Sequence, residues 1–197
     1  MQVLGVNGIL SRGHGSTDRV LRDLRERYGY RVRDVPLPVR TALMAYWDRV
    51  NRADARRLVQ LHRPGDAVVA HSRGALVVYW AMRLGAVFSD VFLFSPAIES
   101  YWSWPCRQAK RIHVVHHRGD RAIALGMLLA LRHPFGALGR EGYRGPEDPR
   151  ITSTPATTQD GEASWLGHGS GVYFDDEVRP GWVEWIHERL RAAKVAA

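Results

Sequence analysis

Short, almost continuously apolar runs alternate along this chain with longer segments whose apolar positions recur every three or four residues. QVLGV at 2–6, DAVVAHS at 66–72, DVFLFS at 90–95 and RIHVVHH at 111–117 are the apolar runs. Their length and their lack of a polar face predict strands buried on both sides. YRVRDVPLP at 30–38 reads as a further strand, stopped by its prolines. Between the strands, residues 17–29 predict a helix with Val20, Leu21 and Leu24 on one face, Ser16 as its cap, Asp18 in its first turn and Gly29 at its end. Residues 40–63 predict a long amphipathic helix ended by Pro64 and Gly65, and residues 73–86 a third helix. The chain closes on a predicted helix over 180–197, which Pro180 opens at its first turn.

Strands that alternate with helices and are themselves apolar on both faces imply an α/β fold: a mostly parallel sheet with helices on both faces. Residues 133–164 lack a clear period and read as a surface excursion, so the stretch 121–164 is a candidate small lid. No repeat or low-complexity linker divides the chain, and its 197 residues suit a single domain over 1–197.

Composition narrows the class without naming a chemistry. Hydrophobic residues at 45% and charged residues at 24% are ordinary globular usage. The single Cys106 cannot form an internal disulfide, so nothing demands an oxidising compartment. MQVLGVNGIL has no basic leader, and Asn7 and Gly8 break its apolar run, so the expected location is cytoplasmic. The most lipophilic stretch, AIALGMLLAL at 122–131, falls well short of the ~20 residues of a membrane span, and no stable membrane insertion is expected. A formal charge of +8 and a pI near 10.2 raise the question of an anionic partner. Lys110 and Lys194 are the only lysines, and the arginines are scattered without a block, which reads as solvated faces and not as a nucleic-acid site.

Candidate chemistry sits in AVVAHSRGAL at 67–76, where His71, Ser72 and Arg73 interrupt two apolar elements. In a parallel sheet, ligands bind at the carboxyl ends of the strands, and Ser72 falls at such an end with a helix directly behind it. Ala70 and Gly74 flank it two residues away on either side, small enough for a sharp strand-to-helix turn. A surface serine capping a helix is the plain alternative.

AHSRGA resembles the nucleophile elbow of the α/β-hydrolase family, Gly-x-Ser-x-Gly, with Ala70 in place of the first glycine. The resemblance spans nearly the whole chain, starting at the family's third strand, and implies a compact α/β-hydrolase fold lacking the first hairpin. It implies the order serine, acid, histidine, which Ser72, Asp120 in RGDRAI and His168 in WLGHGSG satisfy. Glu99 is the reserve acid, and a turn residue paired with Arg118 or Arg121 is the plain reading of Asp120. The implied oxyanion hole consists of the amides of Arg73 and Ile9, with Gly8 giving the loop room. Asn7 stands where the family has histidine and either faces the substrate or holds the loop. His71 is expected to support the oxyanion loop or helix packing. Tyr101, Trp102 and Trp104, with the apolar stretch after Asp120, would line an acyl pocket; core packing is their alternative, and the favoured one for Leu128, Leu129 and Leu131.

His113, His116 and His117 invite a metal reading, but alternation along a strand turns His116 to the opposite face from the other two. Neither a metal nor any other cofactor is called for. The expected activity is that of a carboxylesterase-like serine hydrolase acting on a small-molecule acyl substrate through an acyl-enzyme. An amidase, peptidase or thioesterase would use the same residues. A non-catalytic binding protein of the same fold, presenting its basic surface to an anionic partner, is the contrasting reading.

Overall fold

The computed structural model describes residues 1–8, 16–38, 47–129, 136–156, 168 and 172–195. The apolar runs become strands β1 (Gln2–Val6), β3 (Asp66–His71), β4 (Phe88–Phe94) and β5 (Ala109–His116), joined by β2 (Arg31–Asp34) and β6 (Ile151–Pro155). They form one six-stranded sheet in the order β2-β1-β3-β4-β5-β6, and every neighbouring pair is parallel. Among the described residues, the α-helices are α1 (Ser16–Tyr28), α2 (Asp48–Leu61), α3 (Gly74–Arg83), α4 (Arg121–Leu129), α5 (Leu138–Glu141) and α6 (Arg179–Val195).

Alternation along each strand divides the core in two. Leu4, Val6, Val68, Ala70, Val91, Leu93 and Val114 face α2 and α3, where Leu58 and Leu76 meet them. Val3, Val69, Phe92, Phe94 and Val115 face α1 and α6, where Leu24 and Ile186 close the opposite layer. Both sides of the central strands are therefore dry, which is why those strands carry no polar face. Gly5 lets α1 lie close on the sheet, since a Cβ there would come within 2.4 Å of Leu21 Cδ1.

The elements differ from the sequence expectation in two places. β6 lies inside the stretch read as an excursion; as an edge strand with mostly half-buried or exposed side chains, ITSTP has no apolar run to reveal it. Within the stretch read as one helix over 40–63, Trp47 is extended at φ −89° and ψ 118°, and α2 starts at Asp48. Residues 40–46 lie outside the described residues. Of the candidate lid, the described parts are α4, α5 and β6, while 130–135 and 157–164 lie outside.

From β1 the chain moves outward to β2 and then returns to the other side of β1 to form β3. Connections diverge at that switch point, leaving a crevice beyond the carboxyl ends of β1 and β3. Gly8 and Ser72 both stand there. Among the described residues, no helix is long and apolar enough to cross a membrane.

Candidate active site

Ser72 has φ 55°, in the left-handed region that a side chain makes costly. The surroundings hold it there: its amide donates to Phe94 O at 3.0 Å, and its carbonyl accepts from Ala75 N and Ala97 N, both at 3.1 Å. Position 74 has to be glycine, because a Cβ there would lie 2.2 Å from the Val6 carbonyl oxygen. The methyl of Ala70, by contrast, is absorbed into the core on the α2–α3 side of the sheet. Gly8 passes so near that its Cβ would be 3.0 Å from Ser72 Cβ and 3.4 Å from Ser72 Oγ.

Arg73 caps α3, yet its side chain turns away into the protein and is 1% exposed. One guanidinium nitrogen lies 2.5 Å from Asp54 Oδ2, and Nε donates to Asn51 Oδ1 at 2.8 Å. This buried, charge-assisted clamp ties α2 to the residue following Ser72.

Asp120 sits in the turn between β5 and α4, fully buried. Its Oδ1 accepts the Ile123 amide at 2.8 Å, capping α4. Its Oδ2 accepts from the Ser95 hydroxyl and from His168 Nδ1, the latter at 2.7 Å. The other ring nitrogen of His168, Nε2, is 2.7 Å from Ser72 Oγ. A carboxylate can only accept, so Nδ1 carries the imidazole proton and Nε2 presents its lone pair to the hydroxyl. Acid, imidazole and hydroxyl thus form one chain, with the acid at its buried end.

His168 is held from both directions. His71 Nε2 donates to the His168 carbonyl at 2.7 Å, and the two rings lie 4.8 Å apart. Burial, and secondarily the nearby His168, lowers the His71 pKa to about 3, so this ring is neutral. Downstream of His168, Val172, Tyr173 and Phe174 are buried. Arg179 secures that segment by donating to Phe174 O at 3.0 Å and pairing with Asp23 of α1 at 2.8 Å.

The remaining predicted residues are placed as follows. The Arg73 amide stands at the start of α3 beside Ser72, while Ile9 lies outside the described residues. Both ends of the Asn7 side chain are engaged within the fold. Its amide nitrogen donates to Asp18 at 3.1 Å and Asp34 at 3.3 Å, and its oxygen accepts from the Thr17 hydroxyl at 2.6 Å and the Thr17 amide at 3.0 Å. Of the two uses foreseen for Asn7, the observed contacts are those of a loop anchor: β1 ends where α1 begins, and the amide joins them. Glu99 packs against Gly136, whose Cβ would fall 2.3 Å from Glu99 Oε2, and the carboxylate bonded to His168 is that of Asp120.

Tyr101 is 63% exposed, whereas Trp102 and Trp104 turn inward onto Tyr79 of α3 with ring centroids 5.0 and 5.3 Å away. Trp104, expected at the pocket mouth, is instead a buried core side chain, because the connection after β4 folds back over α3. The ring of His71, foreseen as a support for the oxyanion loop or helix packing, bonds through Nε2 to the carbonyl of His168. His113 stacks on Phe92 beneath Trp185, and His116 lies against Gly142 near α5. Among the described residues, no group of three or more His, Cys, Asp or Glu is arranged to hold a metal.

Two contributors escaped the sequence reading: the Ser95 hydroxyl and the Arg73 side chain. FSPAI offered a signal for Ser95, since it places a small polar residue at the end of an apolar strand as AHSRG does for Ser72. Nothing local marks Arg73 as buried, because its counter-charge lies on α2.

No family model and no curated protein matches the sequence. Among solved structures, one from Xanthomonas campestris pv. campestris, provisionally described as a hydrolase of the alpha/beta superfamily, is similar to this chain at 18% identity and a TM-score of 0.46. The match covers 78% of this chain and 87% of that one. At that identity and score, what the site can do has to follow from its own atoms.

Proposed function

We propose that the chain is a serine hydrolase that cleaves acyl esters through Ser72, His168 and Asp120. One observation carries this reading: the His168 imidazole bridges Ser72 Oγ and Asp120 Oδ2 at 2.7 Å on each side. A hydroxyl on a strained turn, a base within bonding distance and an acid fixing the base's tautomer together form the constellation that activates a serine.

In the proposed reaction Ser72 Oγ attacks the acyl carbonyl carbon while its proton passes to His168 Nε2. The positive charge that develops on the ring is stabilised by the buried Asp120 carboxylate. The carbonyl electrons move onto oxygen, where the Arg73 amide at the start of α3 and the amide of Ile9 are the proposed donors. Collapse expels the alcohol, which takes the proton from Nε2, and leaves an acyl group on Ser72. Water then attacks the acyl-enzyme, with His168 again accepting and returning the proton, and the acid product leaves.

Esters are the proposed substrate class, and thioesters and amides would use the same atoms with different leaving groups. A fluorophosphonate probe tests the chemistry directly. Native protein is expected to label at Ser72, and neither Ser72→Ala nor heat-unfolded protein should label. Native protein that stays unlabelled would favour a binding protein. Turnover of p-nitrophenyl esters of increasing chain length then measures the acyl pocket, and activity on short esters alone would rule out a long apolar channel.

A further inference from the structure

Ser72 and Ser95 are the two non-glycine residues with positive φ among the described residues, at 55° and 43°. They follow adjacent strands whose last residues, His71 and Phe94, are paired in register. At Ser72 the strained turn raises a hydroxyl above the sheet. At Ser95 glycine would adopt the same backbone without cost, so a residue bearing a Cβ there points to a use for its side chain.

Ser95 is fully buried, and its amide donates to Val115 O at 3.0 Å. Its hydroxyl donates to Asp120 Oδ2, the same oxygen that accepts from His168 Nδ1. The other carboxylate oxygen is occupied by the Ile123 amide.

We propose that Ser95 is a positioning residue for the reaction, its hydroxyl holding the Asp120 carboxylate in the orientation that meets His168. The inference rests on the hydrolase reading above. With Ile123 alone, the carboxylate has one fixed oxygen and can still rotate about its terminal torsion, carrying Oδ2 away from the imidazole. A second donor on Oδ2 fixes the plane. It also takes up part of the negative charge on that oxygen, so the pull of Asp120 on the imidazolium is moderated as well as aimed.

Ser95→Ala and Ser95→Gly separate this role from backbone strain. Both remove the hydroxyl, but only glycine relaxes the left-handed turn. Both are expected to lower kcat for p-nitrophenyl acetate on the order of ten- to hundredfold, the scale of a hydrogen bond to a charged group, with KM changed less than about twofold. Melting temperatures identify variants that fold, and Ser95→Gly serves as the test if Ser95→Ala does not.

Wild-type kcat in either folded variant would overturn the proposal. So would a loss that falls on KM with kcat unchanged, or a glycine variant that recovers what alanine loses. A wild-type protein that neither labels with fluorophosphonate nor turns over ester would sink the hydrolase reading first, and this inference with it. Labelled wild type with unaffected Ser95 variants would sink this inference alone.

Discussion

His71 Nε2 donates to the backbone carbonyl of His168 at 2.7 Å, so the residue preceding the proposed nucleophile holds the loop that bears the proposed base. The bond requires a neutral ring with its proton on Nε2, and burial enforces neutrality by lowering the His71 pKa to about 3. The unfolded chain takes up this proton near pH 6.5 and the folded one only near pH 3. The His71 contribution to stability is therefore intact above pH 6.5 and declines as pH falls through that window. One such group costs about 2 kcal/mol between pH 7 and pH 5. Urea unfolding of the wild type and His71→Phe across this range should show a shallower pH slope in the variant, and identical slopes would refute a buried neutral His71. The variant should also turn over more slowly, since the His168 carbonyl loses its donor.

The ion pair between Arg73 and Asp54 has both side chains 1% exposed. Removing one partner of such a pair strands a charge in a dry site, which typically costs about 3–5 kcal/mol. Asp54→Ala is expected to lose stability on this scale, and the double variant Arg73→Met, Asp54→Leu to recover most of it. Chemical denaturation checks both. A loss for Asp54→Ala no larger than that of a surface residue would mean that the guanidinium reaches water.

Glycines 8 and 74 separate activity from stability. Gly74→Ala drives a methyl into the Val6 carbonyl, backbone that cannot step aside, and should destabilise the protein by about 1–3 kcal/mol. Gly8→Ala meets Ser72 Cβ at 3.0 Å and its hydroxyl at 3.4 Å, crowding the place where an acyl carbon would approach. It is expected to lower the fluorophosphonate labelling rate at least tenfold with little change in melting temperature. Wild-type labelling in Gly8→Ala would remove Gly8 from the wall of the site.

Asn7 joins β1 to α1 and β2 through Thr17, Asp18 and Asp34. Asn7→Ala removes that bridge and leaves two aspartates without the amide between them. A stability loss of about 1–2 kcal/mol is expected, the net worth of the hydrogen bonds to the buried Thr17 and the part-buried Asp18. An unchanged KM alongside it would distinguish an anchor from a substrate contact, and a KM raised tenfold or more would argue for the contact.

The strands β1, β3, β4 and β5 were legible because burial on both faces leaves no room for a polar period, and α1, α2, α3 and α6 because their apolar positions recur at the helical spacing; α5, a single turn of four residues, is too short to show a period. Ser72 stood out on other grounds: it interrupts an apolar run, and its neighbours Ala70 and Gly74 are small where a sharp turn needs them to be. β6 was not legible, because an edge strand half in water carries threonine and serine without penalty. Trp102 and Trp104 were ambiguous for a different reason: an aromatic residue after a strand suits a pocket wall and a core equally well, and only the path of the chain over Tyr79 separates the two.

By itself the sequence determined the alternation of buried strands and amphipathic helices, hence a parallel sheet covered on both faces. It also marked Ser72 and Asp120 at the ends of strands, and His168 between two glycines ahead of the last helix. These are local properties, set by the solvent on each side of a few consecutive residues. Only the tertiary structure decided that Ser72 and His168, 96 residues apart in the chain, stand within a hydrogen bond of each other. It likewise decided that Ser95 shares an oxygen of Asp120 with His168, and that Arg73 finds Asp54 within the core. Bonds of that kind depend on distance and angle across elements remote in sequence, and packing of the sheet and its helices is what sets both.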